Sequence, residues 1–151
     1  MHPLKQRLID VYYHATRPYR AAWMQAACAA GRAPVMIVFY HRVADDAANA
    51  WTCSTTLFAR QMAWLKEQFD VVSLAEAQRR LREGNDRPAV AVTFDDGYAD
   101  NNDFALPLLV REQLPCTYFV STGYMASGEP FPHDVRHGRP LKPNTFDDLR
   151  R

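Results

Sequence analysis

The chain of 151 residues has little cysteine: it contains only Cys28, Cys53 and Cys116, which lie far apart. No Cys-x-x-Cys pair is present, so the spacing suggests neither a zinc knuckle nor a disulfide framework. We expect each thiol to be a small buried or half-buried side chain rather than a reactive group. This sparse, unpaired cysteine usage fits a reducing compartment.

The chain also lacks an excess of charge and a long apolar run. Its formal net charge is +1, so neither nucleic acid nor an anionic membrane is an expected partner. No apolar run approaches the roughly 20 residues of a transmembrane helix. Asp10, His14 and Arg17 interrupt the apolar segment that a signal peptide would need. These absences favour a cytoplasmic location.

Residues 1–33 are expected to form an N-terminal helical extension. Pro18 should break or kink the helix that the pattern predicts over residues 4–30. We expect this extension to pack against the rest of the domain, with peripheral membrane attachment as the alternative. The apolar residues near helical spacing are Leu4, Leu8, Val11 and Tyr12.

From residue 34 onward, strand and helix patterns alternate, which predicts parallel βα units and an α/β fold. The first strand is a continuous apolar run, typical of a strand that is covered on both faces. A long loop is expected over residues 121–144, which are rich in glycine and proline. The predicted strands are 34–40, 70–73, 89–93 and 116–120, with a polar loop over 41–51 after the first. The predicted helices are one capped by Ser54 or Thr55 whose apolar face extends to Phe69, one over 74–83 with Ser73 as its N-cap and Gly84 at its C-cap, and one over 102–113.

Residues 34–151 are expected to be part of a larger domain. Four parallel strands in an open sheet leave edges and faces uncovered. Thr145 and Asp148 have the spacing of a helix capping box, but the sequence stops at Arg151, within the first turns of that helix. We therefore expect the natural domain to continue. A complete small domain with a frayed end is the alternative.

The segment that carries chemistry is Val-Thr-Phe-Asp-Asp-Gly-Tyr at residues 92–98. A buried strand delivers Asp95 and Asp96 to its carboxyl end, where α/β folds place ligand sites, and Gly97 permits a sharp turn there. Two close carboxylates repel each other unless a cation is nearby. The pair therefore predicts a metal ligand beside a base. A plain Asp-Gly turn and magnesium-dependent phosphoryl transfer are the alternatives.

Three segments together resemble the NodB-type polysaccharide deacetylases (carbohydrate esterase family 4-like). They are Thr-Phe-Asp-Asp-Gly-Tyr at 93–98, Pro-Val-Met-Ile-Val-Phe-Tyr-His-Arg-Val at 34–43 and Pro-Cys-Thr-Tyr-Phe-Val at 115–120. The resemblance covers residues 34–151, in the family's order. It implies an incomplete NodB-type distorted (β/α) barrel that contains the first four parallel strands.

The resemblance also implies roles for single residues. Asp95 would be the catalytic base, Asp96 a metal ligand and His41 the catalytic acid, although His41 could instead be a structural histidine at a strand end. The cofactor would be a divalent metal ion, zinc or a similar one. The implied reaction is removal of N-acetyl groups from a sugar or polysaccharide, which releases acetate and a free amino sugar.

One part of the family pattern is missing. The second metal-binding motif, His-[Ser/Thr]-x-x-His, does not occur in the sequence. His133 and His137 have the same spacing but lie among prolines and glycines, so a loop with incidental histidines is the preferred interpretation. The second Phe-Asp-Asp, at 146–148, is expected only to open a helix. Residues 1–151 alone should therefore bind metal weakly, and a non-catalytic domain that at most binds carbohydrate is the rival hypothesis.

Overall fold

A computed structural model of the chain describes residues 3–150. In chain order, its helices are α1 (Pro3–Ala15), α2 (Arg17–Ala29), α3 (Thr55–Gln68), α4 (Leu74–Glu83), α5 (Ala105–Arg111), α6 (Thr122–Ser127) and α7 (Pro132–Arg136). The strands are β1 (Val35–Tyr40), β2 (Arg42–Val43), β3 (Thr52–Cys53), β4 (Asp70–Val72), β5 (Ala89–Phe94) and β6 (Cys116–Tyr118). Two 3₁₀ turns span Ala99–Asn102 and Asp148–Arg150.

Strand β5 is the centre of a four-stranded parallel sheet. Strand β1 pairs along one side of it, while β4 and β6 pair with the first and second halves of the other side. The parallel α/β prediction is confirmed. Because Tyr40 pairs with Phe94, the next residues, His41 and Asp95, leave the sheet side by side. Strand β2 lies within the predicted loop over residues 41–51. It pairs in parallel with β3, which follows that loop.

The main core lies between one face of the sheet and the helices α3 and α5. Alternate residues of β1 and β5 point to this face, as the two-residue period of a strand requires. The fully buried members are Val43, Phe58, Met62, Leu65, Val90, Val92, Phe94, Ala105, Leu108 and Leu109. The packing of this core holds β1 and β5 in place, and with them the residues that follow the carboxyl ends of both strands.

The opposite face of the sheet is only partly covered. Helix α4 packs over Ala89 and Ala91 in a second, smaller cluster. All six residues of β5 are buried, as predicted for a covered strand. For β1 that prediction is wrong, since Ile37 and Phe39 are exposed.

Helix boundaries follow the capping residues closely. The Ser54 hydroxyl accepts a hydrogen bond from the Leu57 backbone, and the Ser73 hydroxyl accepts one from the Glu76 backbone, so both predicted N-caps form. Gly84 ends α4, as predicted. The helix predicted over 102–113 is shorter, because a 3₁₀ turn occupies its beginning and α5 starts only at Ala105.

The N-terminal extension consists of two helices separated at Thr16, which agrees with a break near Pro18. Within residues 3–150, neither helix of the extension contributes a buried residue to the expected packing against the domain. Helix α2 has no buried residue, and the apolar side chains Leu8, Val11 and Tyr12 of α1 are exposed. No helix within residues 3–150 is long and apolar enough to cross a membrane.

The segment 121–144 is more ordered than its composition predicts. It contains the short helices α6 and α7; Gly128 ends α6 in a left-handed conformation, and Pro132 occupies the first turn of α7. Thr145 and Asp148 form the predicted capping box in both directions, at 2.9 Å and 3.2 Å between backbone nitrogen and side-chain oxygen. In the described residues, this box opens a 3₁₀ turn.

Candidate active site

A cavity of about 540 Å³ opens at the carboxyl ends of β1 and β5. Two of the three residues singled out from the sequence, His41 and Asp96, line it. The other lining residues come from the loop after β2 and from the segment around α7: Asn49, Ala50, Trp51, His133, Asp134, His137 and Arg139. The cavity therefore lies between the sheet edge and two loops that are distant in sequence.

The turn after β5 places the two carboxylates in different surroundings. The Asp95 backbone donates to the Tyr40 carbonyl (2.9 Å), which continues the β1–β5 ladder by one residue. Asp96 and Gly97 then both adopt positive φ angles, +67° and +85°. For Asp96 this left-handed conformation is strained, and strain of this kind is typical of functional sites. Asp96 reaches the cavity, whereas Asp95 is half-buried and does not line it.

Gly97 is required by both conformation and space. A Cβ atom at this position would lie 3.1 Å from Val120 Cγ1, in addition to the strain of its positive φ. Gly97→Ala should lower the free energy of unfolding by about 1–3 kcal/mol, measured by urea denaturation. The matched control is Gly123→Ala, because a Cβ atom there would have no atom within 4 Å and the φ angle is not positive. Equal stability of the two variants would contradict this account of the turn.

His41 is held in place by its backbone and by its ring. Its carbonyl accepts a hydrogen bond from Asn101 Nδ2 (2.8 Å). Its ring lies against Trp51, with centroids 4.8 Å apart, and edge-on to Phe39 at 5.8 Å. His41 Nε2 is 3.9 Å from Asp96 Oδ2. The structure thus brings the predicted acid and the predicted metal ligand to one wall of the cavity.

A buried polar network that the sequence did not reveal supports this wall. Asn101 Oδ1 accepts from the Val43 backbone (2.9 Å), and the Tyr118 hydroxyl donates to the Tyr98 carbonyl (2.8 Å). Asn144 Nδ2 donates to the Tyr118 hydroxyl (2.8 Å). Burial raises the pKa of Tyr118 to about 12, although its amide partners favour the charged form. The only hint in the sequence was the closeness of Asn101 to the aspartate pair.

A second buried cluster joins the aspartate turn to α7. The Tyr98 hydroxyl donates to Asp134 Oδ2 (2.8 Å) and lies 2.8 Å from His133 Nε2. Burial is the main cause that raises the pKa of Tyr98, and the hydrogen bond to Asp134 raises it further. The hydroxyl therefore keeps its proton. Because that proton goes to Asp134, His133 must donate its Nε2 hydrogen to the Tyr98 oxygen.

His133 of α7 and His137, the residue that follows α7, both make contacts within the protein. His133 and His137 line the cavity together with Asp96, and α7 is a helix where none was expected. However, His133 Nε2 is occupied by Tyr98, and His137 Nδ1 lies 2.7 Å from the His133 carbonyl. Within residues 3–150, no group of three or more His, Cys, Asp or Glu side chains could hold a metal ion. A catalytic zinc ion takes three protein ligands, so Asp96 and its described neighbours do not suffice.

Comparison with known proteins shows what the residues of this site are similar to. Residues 82–140, which include the aspartate turn and α7, match the sequence profile of the polysaccharide deacetylase family. The resemblance of the chain to polysaccharide deacetylases is therefore confirmed over part of the domain. Over 86 residues, the chain is 35% identical to the poly-beta-1,6-N-acetyl-D-glucosamine N-deacetylase of Escherichia coli strain K12. That match covers 54% of this chain but only 13% of the Escherichia coli protein.

Solved structures show the same fold. The chain superposes on IcaB from Ammonifex degensii with a TM-score of 0.61 and 23% identity, covering 76% of this chain and 46% of that one. The deacetylase PplD from Streptococcus pyogenes, solved with acetate, gives a TM-score of 0.60 and 23% identity, covering 76% and 50%. The predicted fold, the first part of a NodB-type barrel, is therefore confirmed.

Proposed function

We propose that this chain supplies part of the active site of a hydrolase that removes N-acetyl groups from a carbohydrate or polysaccharide. The observation that carries the proposal is that His41 and Asp96 face each other, 3.9 Å apart, at the carboxyl ends of β1 and β5. The family supports the reaction class. We also propose that residues 34–151 are the N-terminal portion of the domain, preceded by residues 1–33 as an extension.

The hydrolysis needs a base, an acid and a fixed geometry. Asp95 is proposed to accept a proton from the water that attacks the acetamide carbonyl carbon. When the carbon–nitrogen bond breaks, His41 in its protonated form is proposed to donate its proton to the leaving amine. The products are acetate and an amino sugar. The paired strand ends of β1 and β5 hold both groups on one rigid support.

Asp96 is proposed as a ligand of a divalent metal ion, with zinc as the family's expected choice. Its left-handed backbone directs it into the cavity while Asp95 remains outside the lining. Carboxylate oxygen is a suitable zinc ligand. Since residues 3–150 bring no set of three ligands together, an ion bound at Asp96 requires further donors.

The direct test is acetate release from N-acetylglucosamine oligomers, with and without added zinc. It should be measured on the product of the complete reading frame and on residues 1–151 alone. We expect metal-dependent release from the former and little from the latter. The rival proposal, a non-catalytic carbohydrate-binding domain, rests on the missing ligand set. It is favoured if neither protein releases acetate while both bind the oligomers.

His41→Gln should lower kcat for acetate release by about a hundredfold or more, the usual contribution of a positioned proton donor. Glutamine keeps a polar side chain of similar reach but does not protonate. The control is His14→Gln in α1, a histidine outside the cavity. Equal rates for the two variants would mean that His41 is a structural histidine.

A further inference from the structure

The cavity mouth carries an aromatic ring that the fold does not bury. The Trp51 side chain lines the cavity beside His41, and 55% of the residue remains exposed. A tryptophan has a large apolar surface that is normally covered by packing or by a ligand. One contact, with the His41 ring at 4.8 Å, ties it to the residue proposed to act as the acid. The uncovered part of the ring is therefore next to the reacting group.

The loop that carries Trp51 is rigidly built. Asn49 Oδ1 accepts hydrogen bonds from the Trp51 backbone (2.8 Å) and from the Thr52 hydroxyl (2.9 Å). The Thr52 backbone in turn donates to the Asn49 carbonyl (3.2 Å). These bonds close a tight turn around residue 50 without using the indole. The backbone that carries the ring is thus fixed before any ligand arrives, which lowers the entropic cost of binding.

The same loop is fastened to the opposite wall of the cavity. Asn49 Nδ2 donates to Asp134 Oδ1 (3.3 Å), and Asp134 is the buried carboxylate that Tyr98 holds. The Arg139 guanidinium also donates to the Ala48 carbonyl. Through these contacts, the position of Trp51 depends on α7 and on the turn that follows Asp96. Trp51 and the residues proposed to react are therefore linked by a chain of hydrogen bonds.

We infer that Trp51 stacks on a pyranose ring of an N-acetylated oligosaccharide, next to the sugar whose acetamide group reaches His41. This inference rests on the proposed function and names a residue that sets preference for oligomers over single sugars. A pyranose ring has an apolar face of C–H groups and a polar rim of hydroxyl groups. The flat indole suits the face, and the amide of Asn49 with the guanidinium of Arg139 suits the rim, since all three line one cavity.

The test measures binding and turnover of the N-acetylglucosamine tetramer and of the monomer, using the product of the complete reading frame. Trp51→Ala should weaken tetramer binding, and raise its KM, by about tenfold, because the stacking contact with the sugar ring is lost. Monomer binding should change much less. Trp51→Phe should restore most of the tetramer affinity. The control is Trp23→Ala in α2, which is 54% exposed and outside the cavity.

The outcomes separate this inference from the proposed function. If Trp51→Ala and Trp23→Ala bind the tetramer equally well, or if the wild type does not bind it at all, the stacking role is wrong. If the wild type binds the tetramer and Trp51→Ala loses that affinity, the role stands. In that last case, absence of acetate release from the wild type would refute only the hydrolase proposal.

Discussion

Asp95→Asn is expected to lower the rate of acetate release by about a hundredfold to ten-thousandfold, the contribution of a positioned general base. Asparagine preserves the size of the side chain but cannot accept the proton of the attacking water. The turn should survive, because its hydrogen bonds at residues 95–97 use the backbone. The effect should therefore appear in kcat, with tetramer binding unchanged.

Asp103→Asn is the matched control for this experiment, since Asp103 is an exposed carboxylate a few residues further along and does not line the cavity. It should release acetate at the wild-type rate. Urea unfolding of both variants would show that the difference is not one of stability. A rate for Asp95→Asn within a few-fold of the control would remove Asp95 from the proposed mechanism.

Arg42→Ala is expected to destabilise the fold by about 1–3 kcal/mol, because the buried guanidinium bonds two carboxylates and a backbone carbonyl, and its removal leaves these acceptors without that partner. The Arg42 side chain is only 1% exposed and pairs with Asp100 and Asp46. It also donates to the Asp46 carbonyl (2.7 Å). Burial lowers the pKa of this guanidinium, but the bonds to both carboxylates outweigh that effect and raise it. The charge is thus retained inside the fold.

The comparison for Arg42→Ala is Arg79→Ala, which removes an exposed arginine instead of a buried one. Arg79 also bonds two carboxylates, Glu76 and Glu83, but its side chain is 50% exposed. Exposed pairs contribute about 0–1 kcal/mol, so the two arginines should differ clearly in urea midpoint at similar denaturant slope. A small effect for Arg42→Ala would show that water enters and compensates Asp100.

Much of the fold was predictable because its signals are local. The buried run of β5, the serine caps of α3 and α4, and the glycine that ends α4 all act within a few residues. The exposed face of β1 was not predictable in this way. Ile37 and Phe39 are apolar and of strand type, yet burial depends on whether another element covers them. Nothing in the local pattern carries that information.

In the candidate site, too, some residues could be predicted from local signals and others could not. His41 and Asp96 could be predicted as neighbours because parallel strands place their carboxyl ends together, and the structure brings them to one cavity. Trp51 and the Tyr98–Asp134 pair could not, because they depend on contacts between segments far apart in sequence. The bond from Asn49 to Asp134 is of this kind. Glycines and prolines around α7 also suggested a loop where a short helix forms.

The central position of β5 has a consequence for the order in which the chain can assemble during synthesis. Strands β1 and β4 leave the ribosome first, but each pairs with β5 rather than with the other. Until residues 89–94 have emerged, both strands have no template, and the apolar run of β1 is open to chaperones or to other nascent chains. Arrival of β5 then allows the earlier elements to dock together. The segment that delivers the aspartate pair is therefore also the one on which sheet formation waits.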